Sequence, residues 1–389
     1  MNIIYEYSLL LIRYILKGDI PKLPQDIDFH LLYEFGQSHG IENMLYLALQ
    51  ELKVDVPAEI MEKFKNAYQM QIVIEATQAV ALEELEQLFE NAHIRHIPLK
   101  GSIIKNIYPM PDYRKSSDID ILVHADDIDR VDAVMKESGY EIDKMDEYEL
   151  HEGYRKPPFI LVEIHDRLLE KNNRSYGLFA DIWKSEDLVR THGTTYAMSK
   201  ELFYVFSVAH CCKHVKNGGA GIKFITDIYL MQTVWQEEFK QDKIKALLSQ
   251  ARLSEFEGWL RSICSHWFDG IEPNDRDVLQ LEKFILSGGS FGSLEQAKAL
   301  KKSAMAISRT ERLKYKLRKT FSGVFVKYES MRAEYPILIK HKFLLPVMWV
   351  VRIVKILKNR ELAKEKLHSA YSVNENQAKE LQNLWKAVC

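Results

Sequence analysis

The chain has 389 residues, 47% of them hydrophobic and 28% charged, a globular composition that excludes wholesale disorder and leaves room for two or three domains. Its formal net charge of −2 hides an uneven distribution, because residues 301–360 carry 16 Lys and Arg against three Asp and Glu. The four cysteines form no regular framework, and no run of 18 or more uncharged apolar residues occurs, so a disulfide scaffold and a spanning helix are not expected.

Met1 to Asp19 carries Glu6 and Arg13 among apolar residues without a small-residue cleavage site, and reads as an amphipathic helix rather than a signal peptide. Phe29–Gly36 and Met44–Leu49 place apolar residues three and four apart, as helices do. From Pro57 to Asn91 no further Gly or Pro occurs, and the Ala, Glu, Gln and Met content predicts one long helix or two collinear ones. The pattern then changes. Ile94–Leu99 alternates, predicting a short strand that feeds Gly101, with Pro98 at its end or on an unpaired side because it has no N–H to donate.

A short helix over Ser102–Ile107, a loop over Tyr108–Arg114 and a strand over Asp118–Val123 are expected next. Asp126–Ser138 predicts an amphipathic helix with an acidic start and Gly139 at its stop, and Phe159–His165 an apolar central strand. Strand, helix, strand, helix, strand in so short a span indicates a small α/β unit. From Lys200 onward the helical pattern returns, interrupted at Gly218-Gly219-Ala220-Gly221 and Ser287-Gly288-Gly289-Ser290. The boundaries expected are 1–91 for an N-terminal helical region, 92–199 for a core and 200–389 for a C-terminal helical region.

The chemistry concentrates in Ser117-Asp118-Ile119-Asp120, preceded by Leu99-Lys100-Gly101-Ser102. Two carboxylates one residue apart on a strand point the same way and repel unless a cation joins them. With no Lys or Arg inside the run, a hard divalent ion that also takes phosphate oxygens is the natural partner, Mg²⁺ with Mn²⁺ as the alternative. Gly101 and Ser102 at a strand-to-helix turn would offer amides and a hydroxyl to a phosphate, with Lys100 or Arg114 neutralising charge. Arg114 can grip phosphate through two bonds or simply pair with Asp112. Glu163, the lone acid in an apolar strand, is the candidate third carboxylate and would help activate an acceptor hydroxyl.

Leu99-Lys100-Gly101-Ser102, Tyr108-Pro109, Arg114, Asp118-Ile119-Asp120, Gly139-Tyr140 and Val162-Glu163-Ile164-His165 together resemble the uncharacterised bacterial nucleotidyltransferase family of the DNA polymerase beta-like superfamily. The resemblance continues through His210, His214, Gly218-Gly219, Gly221-Ile222-Lys223 and Asp227, and covers at least residues 30–230. It implies an α+β fold, a small mixed-sheet nucleotidyltransferase core flanked by N- and C-terminal helical regions. It also implies Mg²⁺-dependent transfer of a nucleoside monophosphate from a triphosphate such as ATP to an acceptor. Gly101 and Ser102 match the phosphate element, Asp118 and Asp120 the metal pair, and Glu163 the third carboxylate. The 15 residues between Ser102 and Asp118 exceed the usual gap.

His210 and His214 share one helix face and read as packed histidines at a domain junction, or else as lining of the acceptor cleft. Lys213 and Lys216 on the same helix read as solvated, with phosphate contact as the alternative. Asp227 reads as a member of an ordinary ion pair, with orientation of a cleft residue as the other role. The acceptor is a small molecule, a protein or RNA, and the compartment a reducing cytoplasm. The basic block at 301–360 suggests a polyanionic partner, an anionic membrane surface among them. A catalytically silent nucleotide-binding or toxin-neutralising interaction protein is the competing function.

Overall fold

The computed structural model describes residues 2–143, 151–290, 292, 296–297, 299–300, 328, 331, 335, 337–358 and 381–388. Four helices open the chain: α1 (Ile3–Lys17), α2 (Phe29–His39), α3 (Glu42–Glu51) and α4 (Ala58–Asn91). The Asn2 side chain accepts the Ile4 amide to start α1, and Gly18 at φ 78° ends it. α4 is one helix of 34 residues, about 51 Å long, as its unbroken run of helix-forming residues predicts.

The middle of the chain builds a sheet from β1 (His96–Pro98), α5 (Gly101–Ile104), β2 (Ile119–Val123), α6 (Ile128–Glu137), β3 (Glu141–Asp143), β4 (His151–Lys156) and β5 (Ile160–His165). α7 (Tyr176–Phe179), β6 (Leu188–His192) and β7 (Thr195–Met198) complete it. The seven strands lie in the order β3-β4-β5-β2-β1-β7-β6. β2 runs parallel to β5 and antiparallel to β1, while β1 runs parallel to β7, so the sheet is mixed. The sequence pattern predicts β1, β2 and β5; the structure adds two antiparallel flanks, β3-β4 on one side and β6-β7 on the other. β6 is exposed over most of its length, which removes the apolar alternation that marks a strand.

Period-two alternation sorts the two central strands into two faces. Ile119, Ile121 and Val123 of β2 and Val162 and Ile164 of β5 pack beneath Ala81, Leu85 and Phe89 of α4 and Val131 and Met135 of α6. Asp120 of β2 and Glu163 and His165 of β5 are thereby turned to the opposite face.

Five helices follow: α8 (Lys200–Lys216), α9 (Ile222–Val234), α10 (Gln241–Gln250), α11 (Ser254–Asp269) and α12 (Arg276–Gly288). The buried His39 joins three elements, donating from Nε2 to the Leu286 carbonyl and accepting the Ile222 amide at Nδ1, 3.2 Å each. The mixed α+β architecture expected from the sequence is therefore present, a central mixed sheet between extensive helical regions.

The chain divides into two compact units, residues 1–297 with 387–389, and residues 298–386. The second contains the described helices Ile337–Lys340 and Leu345–Lys358. Here the expectation of an anionic membrane surface through residues 301–360 is corrected. Among the described residues no helix is long and apolar enough to cross a membrane. Leu345–Lys358 has 14 residues, about 21 Å against a hydrocarbon core of about 30 Å. Most of residues 301–336, with 359 and 360, lie outside the described residues.

Candidate active site

The parallel register of β2 and β5 sets Asp120 directly beside Glu163. His165 stands two residues further along β5, hence on the same face. Its Nε2 donates to Asp120 Oδ1 at 2.7 Å and lies 3.7 Å from Glu163 Oε2. All three side chains are buried, and one ligand atom from each lies within 4.8 Å of the others. Two carboxylates with one imidazole fit a divalent ion: the carboxylates suit Mg²⁺ or Mn²⁺, and the imidazole widens the set toward softer metals.

Lys100 reaches the same oxygen from the turn after β1, its Nζ 2.6 Å from Asp120 Oδ1. Its backbone at φ 43° is in a region that L-residues with long side chains seldom occupy, so the turn holds it there at some strain. Burial works to raise the Asp120 pKa, but the Lys100 charge and the His165 hydrogen bond outweigh it and hold the carboxyl well below its usual range. The same pairing keeps the Lys100 ammonium above its ordinary value in spite of its burial.

Asp118 precedes β2 and is half-buried, with Ser116 Oγ donating to its carbonyl at 3.1 Å and toward its carboxylate at 3.4 Å. It is not one of the three groups that lie within 4.8 Å of one another. Burial, then repulsion from Asp120 and Glu163, pushes its pKa up to about 6. One carboxyl of the Asp-x-Asp pair is thus firmly ionised, and the other gives up its proton only as pH rises through about 6.

Gly101 opens α5 where space is short. A Cβ there would lie 2.6 Å from Ser116 Oγ and 2.7 Å from Arg114 Nη1. Ser102 is buried in the same turn. Arg114 does not pair with Asp112. It forms a buried, two-bond ion pair with Asp227 of α9, Nε to Oδ1 at 2.9 Å and Nη2 to Oδ2 at 2.8 Å. The Tyr108 hydroxyl donates to Asp227 Oδ1 at 2.7 Å. Asp227 overcomes the burial that would lower the Arg114 pKa and raises it instead. Sequence separation hides this pair, whose members lie 113 positions apart.

His210 and His214 of α8 meet through their Nε2 atoms at 3.2 Å, one ring donating to the other. His214 also packs on the Phe224 ring of α9, centroid to centroid 4.6 Å. Burial, followed by the Lys100 charge, pushes His210 well below the usual histidine value and His214 to about 3, so both rings are neutral near pH 7. A small cavity lined by Lys100, Ile104, Arg114, His210, Phe224 and Asp227 connects these groups. Asp120, Glu163 and Lys100 therefore form one cluster, and Arg114, Asp227 and His210 share a cavity with its lysine.

His165 is the residue that sequence reasoning leaves out, although its signal is present: Glu163-x-His165 on a strand repeats the geometry already read in Asp118-x-Asp120. Lys223 also escapes it. Burial, then the neighbouring Arg114 charge, lowers the Lys223 pKa to about 8.

Among solved structures the chain is similar to that of the antibiotic-resistance factor ANT(2'')-Ia, with 13% identity and a TM-score of 0.33 over 47% of this chain and 95% of that one. No curated protein matches it. Residues 25–269, more than half of the chain, match the family described as Uncharacterised nucleotidyltransferase. Motif, sheet and family match agree: the chain belongs to the uncharacterised nucleotidyltransferase family.

Proposed function

We propose that the protein transfers a nucleoside monophosphate from a nucleoside triphosphate, ATP among them, to an acceptor hydroxyl or amine and releases pyrophosphate. The observation that carries this reading is the in-register pair Asp120 and Glu163 with His165 beside them. Asp120, Glu163 and His165, with Asp118 adjacent, would hold Mg²⁺ or Mn²⁺. Such an ion supplies charge neutralisation at the phosphates and polarises the reacting phosphorus. Gly101 and Ser102 face the phosphates from the α5 turn, with Lys100 and the Arg114 Nη1 that lies against Gly101 beside them. Glu163 accepts the acceptor's proton as its oxygen or nitrogen attacks the α-phosphorus. The bond from that phosphorus to the bridging oxygen breaks, and pyrophosphate leaves. The acceptor enters beside α8 and α9, where His210, His214 and Asp227 stand. The free thiols of Cys211, Cys212 and Cys264 support a reducing cytoplasmic setting.

The test incubates purified protein with labelled triphosphates, Mg²⁺ or Mn²⁺ and a broad acceptor set, and reads pyrophosphate. Asp120→Asn is expected to lower release by about a thousandfold or more. Equal release from wild type and the Asp118→Ala/Asp120→Ala variant would remove the catalytic claim.

A second reading has its own observation. The Lys100 ammonium already occupies Asp120 Oδ1, as an internal cation would in a catalytically silent nucleotide-binding protein. Triphosphate binding that ignores added metal, with no pyrophosphate formed, would select it.

A further inference from the structure

A triphosphate is a multiply charged anion, and the two cations first assigned to it already have partners. Lys100 is neutralised by Asp120 and Arg114 by Asp227, and the nearby Lys115 pairs with Glu42. Two lysines nearby have none. Among the described residues, the ammonium groups of Lys213 on α8 and Lys223 on α9 make no hydrogen bond and have no carboxylate within 4.0 Å. Both are only partly exposed. An unpaired, desolvated charge is destabilising, so its retention points to an anion that arrives from outside.

Their placement is convergent. Lys213 immediately precedes His214, and Lys223 immediately precedes Phe224, and those two rings are in contact at 4.6 Å. Lys223 Nζ lies 5.7 Å from the ring centroid of Phe224, and Phe224 in turn lines the cavity with Lys100 and Arg114. The charges of Lys100, Lys213 and Lys223 all act on His214, each lowering its pKa. Among the carboxylates, Glu170 and then Asp120 and Glu163 attract Lys213, and Asp227 and then Asp118 attract Lys223. The two ammonium groups thus stand on neighbouring helices within electrostatic reach of the carboxylate cluster.

We propose that Lys213 and Lys223 form the docking site for the polyphosphate tail of the triphosphate, and hold the pyrophosphate group after transfer. This deepens the transferase reading and rests on it for the identity of the ligand. The neighbouring His210–His214 pair is neutral and adds no charge that would need a further counterion.

The experiment uses the full chain and inorganic pyrophosphate without metal, followed by calorimetry. Lys213→Met and Lys223→Met keep the apolar stem and delete the charge. Each is expected to weaken binding roughly ten- to a hundredfold, and Lys223→Arg to restore most of it. Since each Met variant removes an unpaired charge, its ligand-free melting temperature should stay level or rise, which separates a lost ligand contact from damaged folding. In the wild type, pyrophosphate should protect both lysines from an amine-acylating reagent at pH 8, read by peptide mass mapping. The proposal is overturned if wild type does not bind pyrophosphate, if the double Met variant binds it as tightly as wild type, or if neither lysine is protected. The transferase reading fails separately. Lysine-dependent pyrophosphate binding without any nucleotide transfer would remove the reaction and leave the site. Transfer unaffected by either Met substitution would remove the site and leave the reaction.

Discussion

The two faces of the β2–β5 pair are made by the same eleven residues and obey opposite rules. One face carries only apolar side chains, closed over by α4 and α6. The other carries Asp120, Glu163 and His165, also buried, with His165 and Lys100 both paired to Asp120. Burial on the first face is favourable in itself. On the second it is tolerated only where each charge finds a partner. The difference teaches that the packed core and the candidate metal site lie on opposite sides of one pair of strands. Truncating the apolar side should therefore cost stability, as should breaking a buried ion pair, whereas removing the carboxylate of Asp118, whose ionisation is opposed, should raise it.

The largest effect expected is on the apolar face. Phe89→Ala empties a fully buried ring position against the sheet and should cost about 3–5 kcal/mol in urea unfolding. Pyrophosphate release per folded molecule should survive it, because Phe89 belongs to the other face. A loss below about 1 kcal/mol would mean that α4 is not the support described here.

Next comes the ion pair beside the charged face. Asp227→Asn leaves the buried Arg114 guanidinium without a counter-charge and should cost about 3 kcal/mol. Replacing both partners with apolar residues, Arg114→Met with Asp227→Leu, should recover most of that in the same melt. If the double variant is no better than the single one, the cost lies in packing and not in the orphaned charge.

The smallest effect has the opposite sign. Asp118 has a folded pKa of about 6, above its ordinary value near 3.8, so the native state holds the proton more tightly than the unfolded chain. The stability that this proton contributes is complete below about pH 4 and disappears as pH rises through about 6. Near pH 7 the ionised carboxylate then costs on the order of 2 kcal/mol. Asp118→Asn should recover that stability at pH 7 and flatten this part of the pH profile, while impairing metal-dependent release. A variant that is less stable at pH 7 than wild type would show that Asp118 is structural.

What the sequence made legible follows the same division. β2 and β5 could be read because alternation of Ile119, Ile121 and Val123 with a charged residue is visible in a short window. α4 could be read because nothing in it breaks a helix. β4 could not: in His151-Glu152-Gly153-Tyr154-Arg155-Lys156 only Tyr154 enters the core among the described side chains, and the strand is held by its neighbour β5, a contact that no local pattern encodes. Asp120 and Glu163 were legible as types, but their pairing depends on strand order, 43 positions apart in the chain. The partner of Arg114 was out of reach for the same reason. Lys213 can be read for phosphate contact from its helix, and Lys223 stands in the resembling run Gly221-Ile222-Lys223, but neither carries a local mark that sets it apart from a solvated lysine. What sets them apart is the partners they lack, which only three dimensions reveal.

Gly101 invites one misreading. A glycine in this motif is commonly probed with alanine to ask whether backbone amides cradle a phosphate. Here an added methyl would collide with the Arg114 guanidinium and the Ser116 hydroxyl before any ligand arrived. An inert Gly101→Ala variant would thus bear false witness, reporting a wedge driven under a neighbouring salt link when it was asked about nucleotide affinity.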